Sequence, residues 1–211
     1  MTTMIIESVV TGPFQENTWI LGNSVTNHAI IIDPGDNAST IVNKLAEFDL
    51  TPIFIINTHA HPDHIGAAAE LQRRFDLPFA LHSDDLVTYN SAISTARLLG
   101  LMNLELPQIT SYLHDGQILE INNHHLQVLH TPGHTPGSVS FLTGKHLFSG
   151  DTLFKNSVGR TDLPNGSITA LKRSLAHLKR LPTDLQIHPG HGEPTTLADE
   201  IINNPFFSDL P

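Results

Sequence analysis

The chain has 211 residues, with 21 acidic and 11 basic side chains, 14 His and no Cys. The lack of Cys excludes disulfides, cysteine-ligated metal sites and a cysteine nucleophile, and a formal charge of −10 argues against nucleic acid and anionic membranes as partners. With 39% hydrophobic and 15% charged residues, the chain is expected to fold as a single domain, 1–211, around its own core.

No apolar run approaches the ~18 residues of a membrane-spanning helix, and MTTMIIESVV lacks a basic segment followed by a long apolar stretch. A cytoplasmic location is therefore expected. Residues 4–10, 18–22 and 29–32 read as strands, and Asp33-Pro34-Gly35 reads as a turn. Residues 38–48 have helical spacing, with Ile41, Val42, Leu45 and Phe48 on one face. The apolar run 53–57 is the pattern of a strand covered on both faces. A loop, THAHPDH at 58–64, leads into a helix with Ile65, Ala68, Leu71 and Phe75 on one side. A strand at 78–82 and a helical segment at 84–102 follow.

In the second half, 117–121 and 125–130 flank Asn122-Asn123-His124, and 138–142 and 145–149 flank Thr143-Gly144. Both pairs read as hairpins. Residues 167–180 form an amphipathic helix with Ile168, Leu171, Leu175 and Leu178 inward, and 185–188 is a last strand. Hairpins mixed with βα units, in halves meeting near residue 110, exclude a purely parallel sheet. They fit an α+β architecture, two mixed sheets face to face with helices outside.

The densest chemical feature is His59-Ala60-His61-Pro62-Asp63-His64, four ligand-type side chains within six residues just after a buried strand. An extended loop can aim His59 and His61 at one point, with Asp63 and His64 facing a second. These N and O donors suit zinc, manganese or iron. His134, Asp151 and His191 each follow a predicted strand, and each is preceded by Gly, which permits sharp turns and close approach.

HxHxDH, PGHTPG, SGD and PGHG, in this order, resemble the metallo-β-lactamase superfamily and, within it, short bacterial glyoxalase II-like (hydroxyacylglutathione hydrolase-like) proteins. The likeness runs from Asp33-Pro34-Gly35 to Asn204-Pro205-Phe206-Phe207. It implies an αββα sandwich. It also implies a first metal on His59, His61 and His134, a second on Asp63, His64 and His191, and Asp151 bridging both. Zinc is the first expectation, with iron or manganese as alternatives. His64 and the absence of Cys differ from the lactamase branch that uses Arg and Cys in the second site. Two divalent ions lower the pKa of a shared water towards ~7, so the expected nucleophile is a bridging hydroxide, with Asp63 and Asp151 as catalytic carboxylates.

A thiol with a pKa near ~8.5 leaves as thiolate without a general acid. The expected substrate is accordingly a small-molecule thioester, S-lactoylglutathione or another acyl-thiol. In glyoxalase II relatives a basic residue nine positions after the bridging Asp contacts glutathione; Arg160 has that spacing, with a salt bridge to Asp162 as its structural alternative. No separate helical C-terminal domain, of the kind full-length glyoxalase II carries, is expected after PGHG. Gly159-Arg160-Thr161-Asp162 also resembles a second branch, the mononuclear iron persulfide dioxygenases. Of the remaining histidines, His82 and His130 end strands near the site as candidate orienting partners. His28, His114, His124, His125, His146 and His177 read as surface residues, and Trp19 as core.

Overall fold

The structure, a computed structural model, describes residues 4–101, 103–121, 124–208 and 210. Six strands form one sheet in the order β1 (Met4–Thr11), β2 (Glu16–Asn23), β3 (His28–Ile32), β4 (Thr51–Ile56), β5 (Phe79–His82) and β6 (Ser111–Leu113). The first three are antiparallel and the rest join in parallel. The second sheet has the order β12 (Thr195–Thr196), β11 (Gln186–Pro189), β10 (His146–Gly150), β9 (Val139–Thr143), β8 (His124–His130) and β7 (Ile118–Ile121). It is antiparallel except where β10 meets β11. Both sheets are mixed, as the combination of hairpins and βα units requires.

Strand alternation builds three apolar layers. Ile20, Ile31 and Ile55 face outward against α1 (Ala38–Glu47), α3 (Ala68–Phe75) and α4 (Leu86–Leu98). Their neighbours Leu21, Ile30, Ile32 and Ile56 face inward, meeting Val128, Phe141 and Phe148 of the second sheet. On the far side Leu129, Leu147 and Ile187 pack under α5 (Ile168–Leu178) and α6 (Leu197–Asn203). Trp19 lies in the inner layer, as expected.

Most elements lie where the periodicity puts them, and the differences have local causes. The helix after the HAHPDH loop is interrupted: α2 (Pro62–Ile65) ends and α3 begins at Ala68. A Cβ on Gly66 would stand 2.2 Å from the Gly35 carbonyl oxygen, so the chain bends around that contact. The helical segment read at 84–102 is a 3₁₀ turn at Ser83–Asp85 followed by α4; Met102 lies outside the described residues. In the first hairpin of the second half, His124 already belongs to β8, pairing with Ile121; Asn122 and Asn123 lie outside the described residues.

Three elements escape a reading by periodicity. Strand β6 is only three residues long and β12 two, below the length at which alternation can be read. Helix α6 is a seven-residue element, but Thr196 caps it by accepting from the Asp199 N–H, and Thr196-x-x-Asp199 is a capping-box-like start signal.

Candidate metal centre

The site lies at one end of the sandwich, where β3, β4, β8, β10 and β11 all finish and their loops converge. Loops from the two sheets are stitched together there. Val139 of the second sheet donates its N–H to the Thr58 carbonyl, and Asn17 of the first donates its N–H to the Gly190 carbonyl. Asn17 Nδ2 and Trp19 Nε1 both donate to the Pro189 carbonyl. Two glycines permit the crowding. Gly150 has φ +49°, and a Cβ on it would stand 2.3 Å from Thr58 Oγ1; one on Gly190 would stand 2.4 Å from Asp151 Oδ1.

All seven expected ligands meet at this end. His59, His61 and His134 form one group and Asp63, His64 and His191 another, each with one donor atom per residue within 4.8 Å of the others. His61 Nδ1 and His134 Nε2 are 2.8 Å apart, and His64 Nε2 and His191 Nε2 are 3.2 Å apart. Two nitrogens about 3.3 Å apart suit tetrahedral binding of an ion ~2 Å from each. Asp151 lies between the groups. Its Oδ1 is 3.4 Å from His64 Nε2, and its Oδ2 is 3.3 Å from His134 Nε2 and 3.7 Å from His191 Nε2. His59 Nε2 and Asp151 Oδ1 are buried without any hydrogen-bond partner. Buried polar atoms are almost always satisfied, so these two are the orphans that a bound cation would complete.

The far nitrogens are held in place. His134 Nδ1 is 2.7 Å from the Arg160 carbonyl and His191 Nδ1 is 3.1 Å from the Phe14 carbonyl. A carbonyl accepts only from N–H, which leaves both Nε2 atoms with free lone pairs. Asp33, at the αL turn after β3, is buried and accepts from Thr58 N–H (2.6 Å) and Thr58 Oγ1 (2.5 Å); its Oδ2 is also 3.1 Å from His64 Nδ1. Thr58 Oγ1 is in turn 3.0 Å from His59 Nδ1. One carboxylate thus orients a ligand in each group.

Electrostatics separate the two groups. Burial and the neighbouring imidazoles push His59 far below the usual histidine range, and burial with His134 pushes His61 down to about 3. For His64, burial acts downward, but Asp151, Asp33 and Asp63 outweigh it and raise the pKa well above its ordinary value. His191 is likewise raised, burial being outweighed by its bond to Asp63 and by Asp151. Burial would raise Asp63, but His191, His64 and His61 hold it far below the carboxylate range.

Several supporting residues carry no motif that reveals them. Asp85, fully buried, accepts from the Ala60 N–H (2.6 Å), the Gly137 N–H (3.2 Å) and Thr88 Oγ1 (3.0 Å), latching the His59–His61 loop to the His134 loop. Glu16, also buried, accepts from Thr11 Oγ1 and Thr18 Oγ1 through Oε2, while Oε1 lies 4.0 Å from His64 Nδ1. Burial is the first cause of its strongly raised pKa. Asp33 was visible in the sequence only as part of a turn.

Arg160 contributes its carbonyl to His134, while its exposed guanidinium is bidentate on Asp162 at 2.7 and 2.8 Å. Lys155 is bound to Glu193. His188 points away from the centre: it stacks on Phe148, meets Trp19 edge-on and sits 3.0 Å from His146 Nδ1. That contact leaves His146 half-buried instead of on the open surface. His82 and His130 stack on each other, and His130 Nε2 is 2.9 Å from the Pro136 carbonyl, so His130 meets the backbone of the His134 loop. A cavity of about 390 Å³ adjoins Asp63, with Phe14, Asp36, Leu101, Asn103 and Leu104 among its walls and no Lys or Arg among its described lining residues.

An αββα sandwich presenting a His/Asp double cradle at one end defines the class of metal-dependent hydrolases. A family model of the metallo-β-lactamase superfamily matches residues 11–191, and the chain belongs to that superfamily. It is 35% identical to the hydroxyacylglutathione hydrolase GloC of Haemophilus influenzae over 97% of this chain and 99% of that one. Among solved structures, TTHA1623 in a di-iron-bound form is 41% identical, with TM-score 0.86 over 95% of this chain and 99% of that one. The BLEG-1 B3 metallo-β-lactamase is 36% identical, with TM-score 0.87 over 97% and 100%.

Proposed function

We propose that this hydrolase acts on thioesters in the manner of glyoxalase II, with S-lactoylglutathione or a related acyl-thiol as substrate and two divalent ions as cofactor. One observation carries the reading: two three-residue groups face each other across Asp151. His59, His61 and His134 would hold one ion, Asp63, His64 and His191 the other, and Asp151 would serve both. Zinc is the first expectation, with iron or manganese as alternatives; the di-iron form of TTHA1623 supports iron in particular. Divalent ions held by these residues would supply Lewis-acid polarisation of a carbonyl and would lower the pKa of water towards neutrality.

The chain's own residues supply position and charge. Asp63, held ionised by its histidine neighbours, accepts a hydrogen bond from the attacking water and orients it. Asp33 and the Arg160 carbonyl keep the imidazoles from rotating. His188 is turned into the interior and does not serve as a general acid. Doing without that proton donor is tolerable for a thiolate leaving group and costly for an amine or alkoxide. The GloC relative supports the same substrate class.

The test is turnover of S-lactoylglutathione by metal-loaded protein, followed by loss of thioester absorbance and by free thiol, with a β-lactam in parallel because of the likeness to BLEG-1. Thioester turnover with the β-lactam untouched is expected. β-Lactam cleavage without thioester cleavage overturns the substrate assignment and leaves the metallohydrolase standing. The second reading, persulfide oxidation at one iron, rests on the Gly159–Asp162 stretch and requires one metal per chain with O₂ consumption. The two complete ligand groups favour hydrolysis.

A further inference from the structure

A further cluster of metal-type donors lies at the same end of the sandwich, flanking the main centre and separate from the seven residues above. His82 ends β5 in the first sheet, Asp84 follows two residues later, and His130 ends β8 in the second sheet. One donor atom from each lies within 4.8 Å of the others, the same closeness that joins the ligand groups of the main centre. The His82 and His130 rings stack with centroids 4.2 Å apart and planes at 11°. His82 Nδ1 lies 4.0 Å from Asp84 Oδ2. His82 is 7% exposed, His130 half-buried and Asp84 open to solvent, so an ion can enter from the Asp84 side.

The local bonds leave donors available. His130 Nε2 is engaged with the Pro136 carbonyl, which places its proton there and frees the lone pair on Nδ1. His82 accepts a long 3.2 Å bond from the Asp84 N–H, a contact given up at little cost if a cation takes that lone pair. Two imidazoles and one carboxylate suit zinc, copper or nickel rather than calcium or magnesium.

We propose that His82, Asp84 and His130 form a further transition-metal site that clips the first sheet to the second beside the catalytic loops. The clip would act on the main centre through two existing contacts. His130 holds the Pro136 carbonyl of the His134 loop, and Asp85, next to Asp84, holds the Ala60 and Gly137 N–H groups.

The test is Zn²⁺ titration of metal-free full-length protein by calorimetry, with metal analysis after gel filtration and circular dichroism as a folding check. Wild type should take up a third equivalent beyond the main centre. Asp84→Asn, on the surface and tolerant of change, and His130→Asn should each lose the third equivalent and keep the other two. Saturation of the wild type at two equivalents, or retention of the third in both variants, overturns the proposal. A His61→Ala/His191→Ala double variant separates this site from the main one: it should still bind one Zn²⁺ that Asp84→Asn removes. Loss of that ion in the double variant while the main centre proves intact in wild type would also count against the flank site.

Discussion

At the scale of single residues, the centre is a set of histidines whose protonation the fold has divided. In the first group His59 and His61 are held neutral and ready for a cation. In the second, His64 and His191 have raised pKa values, so protons compete with a cation there. Lowering the pH therefore adds competing protons at His64 and His191 while His59 and His61 stay neutral. On acidification from pH 7.5 towards 5.5 the second-group ion should leave first, and metal analysis at each pH should show two equivalents becoming one before none. Simultaneous loss of both would contradict this division. His61→Ala should abolish first-group metal and activity together, with kcat/KM down by at least about two orders of magnitude, because the ion that His61 would hold supplies transition-state charge stabilisation. Wild-type turnover by the His61→Ala protein would refute the ligand assignment.

At the scale of elements, the strand ends decide the site, and glycines set how closely those ends approach. Gly150 ends β10 with a left-handed backbone, pressed against Thr58 beside the first ligand. Gly150→Ala adds both backbone strain and overlap with Thr58, at a cost of about 2–4 kcal/mol. Thermal melts should show that loss, and the variant should also bind metal more weakly, because Thr58 supports His59. A melt unchanged from wild type would show that the contact relaxes freely. Strands long enough to alternate, such as β2 and β10, were legible from sequence. Helix α6 and the two short strands were not: β6 and β12 are too short to alternate, and Glu200 of α6 receives the Asn156 N–H from a remote loop.

At the scale of the whole molecule, metal and fold are coupled, because no ligand group exists until both sheets are in place. An ion present at about a thousand times its Kd adds about 4 kcal/mol to stability, or about 10 °C in Tm for a chain of this size. Chelation should lower Tm by that order, and re-addition of metal should restore it. A melting temperature indifferent to chelator would separate the cradle from the fold.

What the sequence determined by itself was local: ligand types, their spacing within HAHPDH, the glycines before His134, Asp151 and His191, and the alternation that makes two covered sheets. Those features depend on neighbours a few residues apart, and periodicity and motif report such neighbours directly. Only the tertiary structure decided which groups surround the ligands. Asp33 orients His64 from 31 residues away, Asp85 ties two loops together across 52 residues, and His82 meets His130 across the sandwich. It also showed the Arg160 guanidinium engaged by Asp162 and His188 folded into the interior. Burial and convergence of distant segments set these outcomes, and no spacing along the chain encodes them.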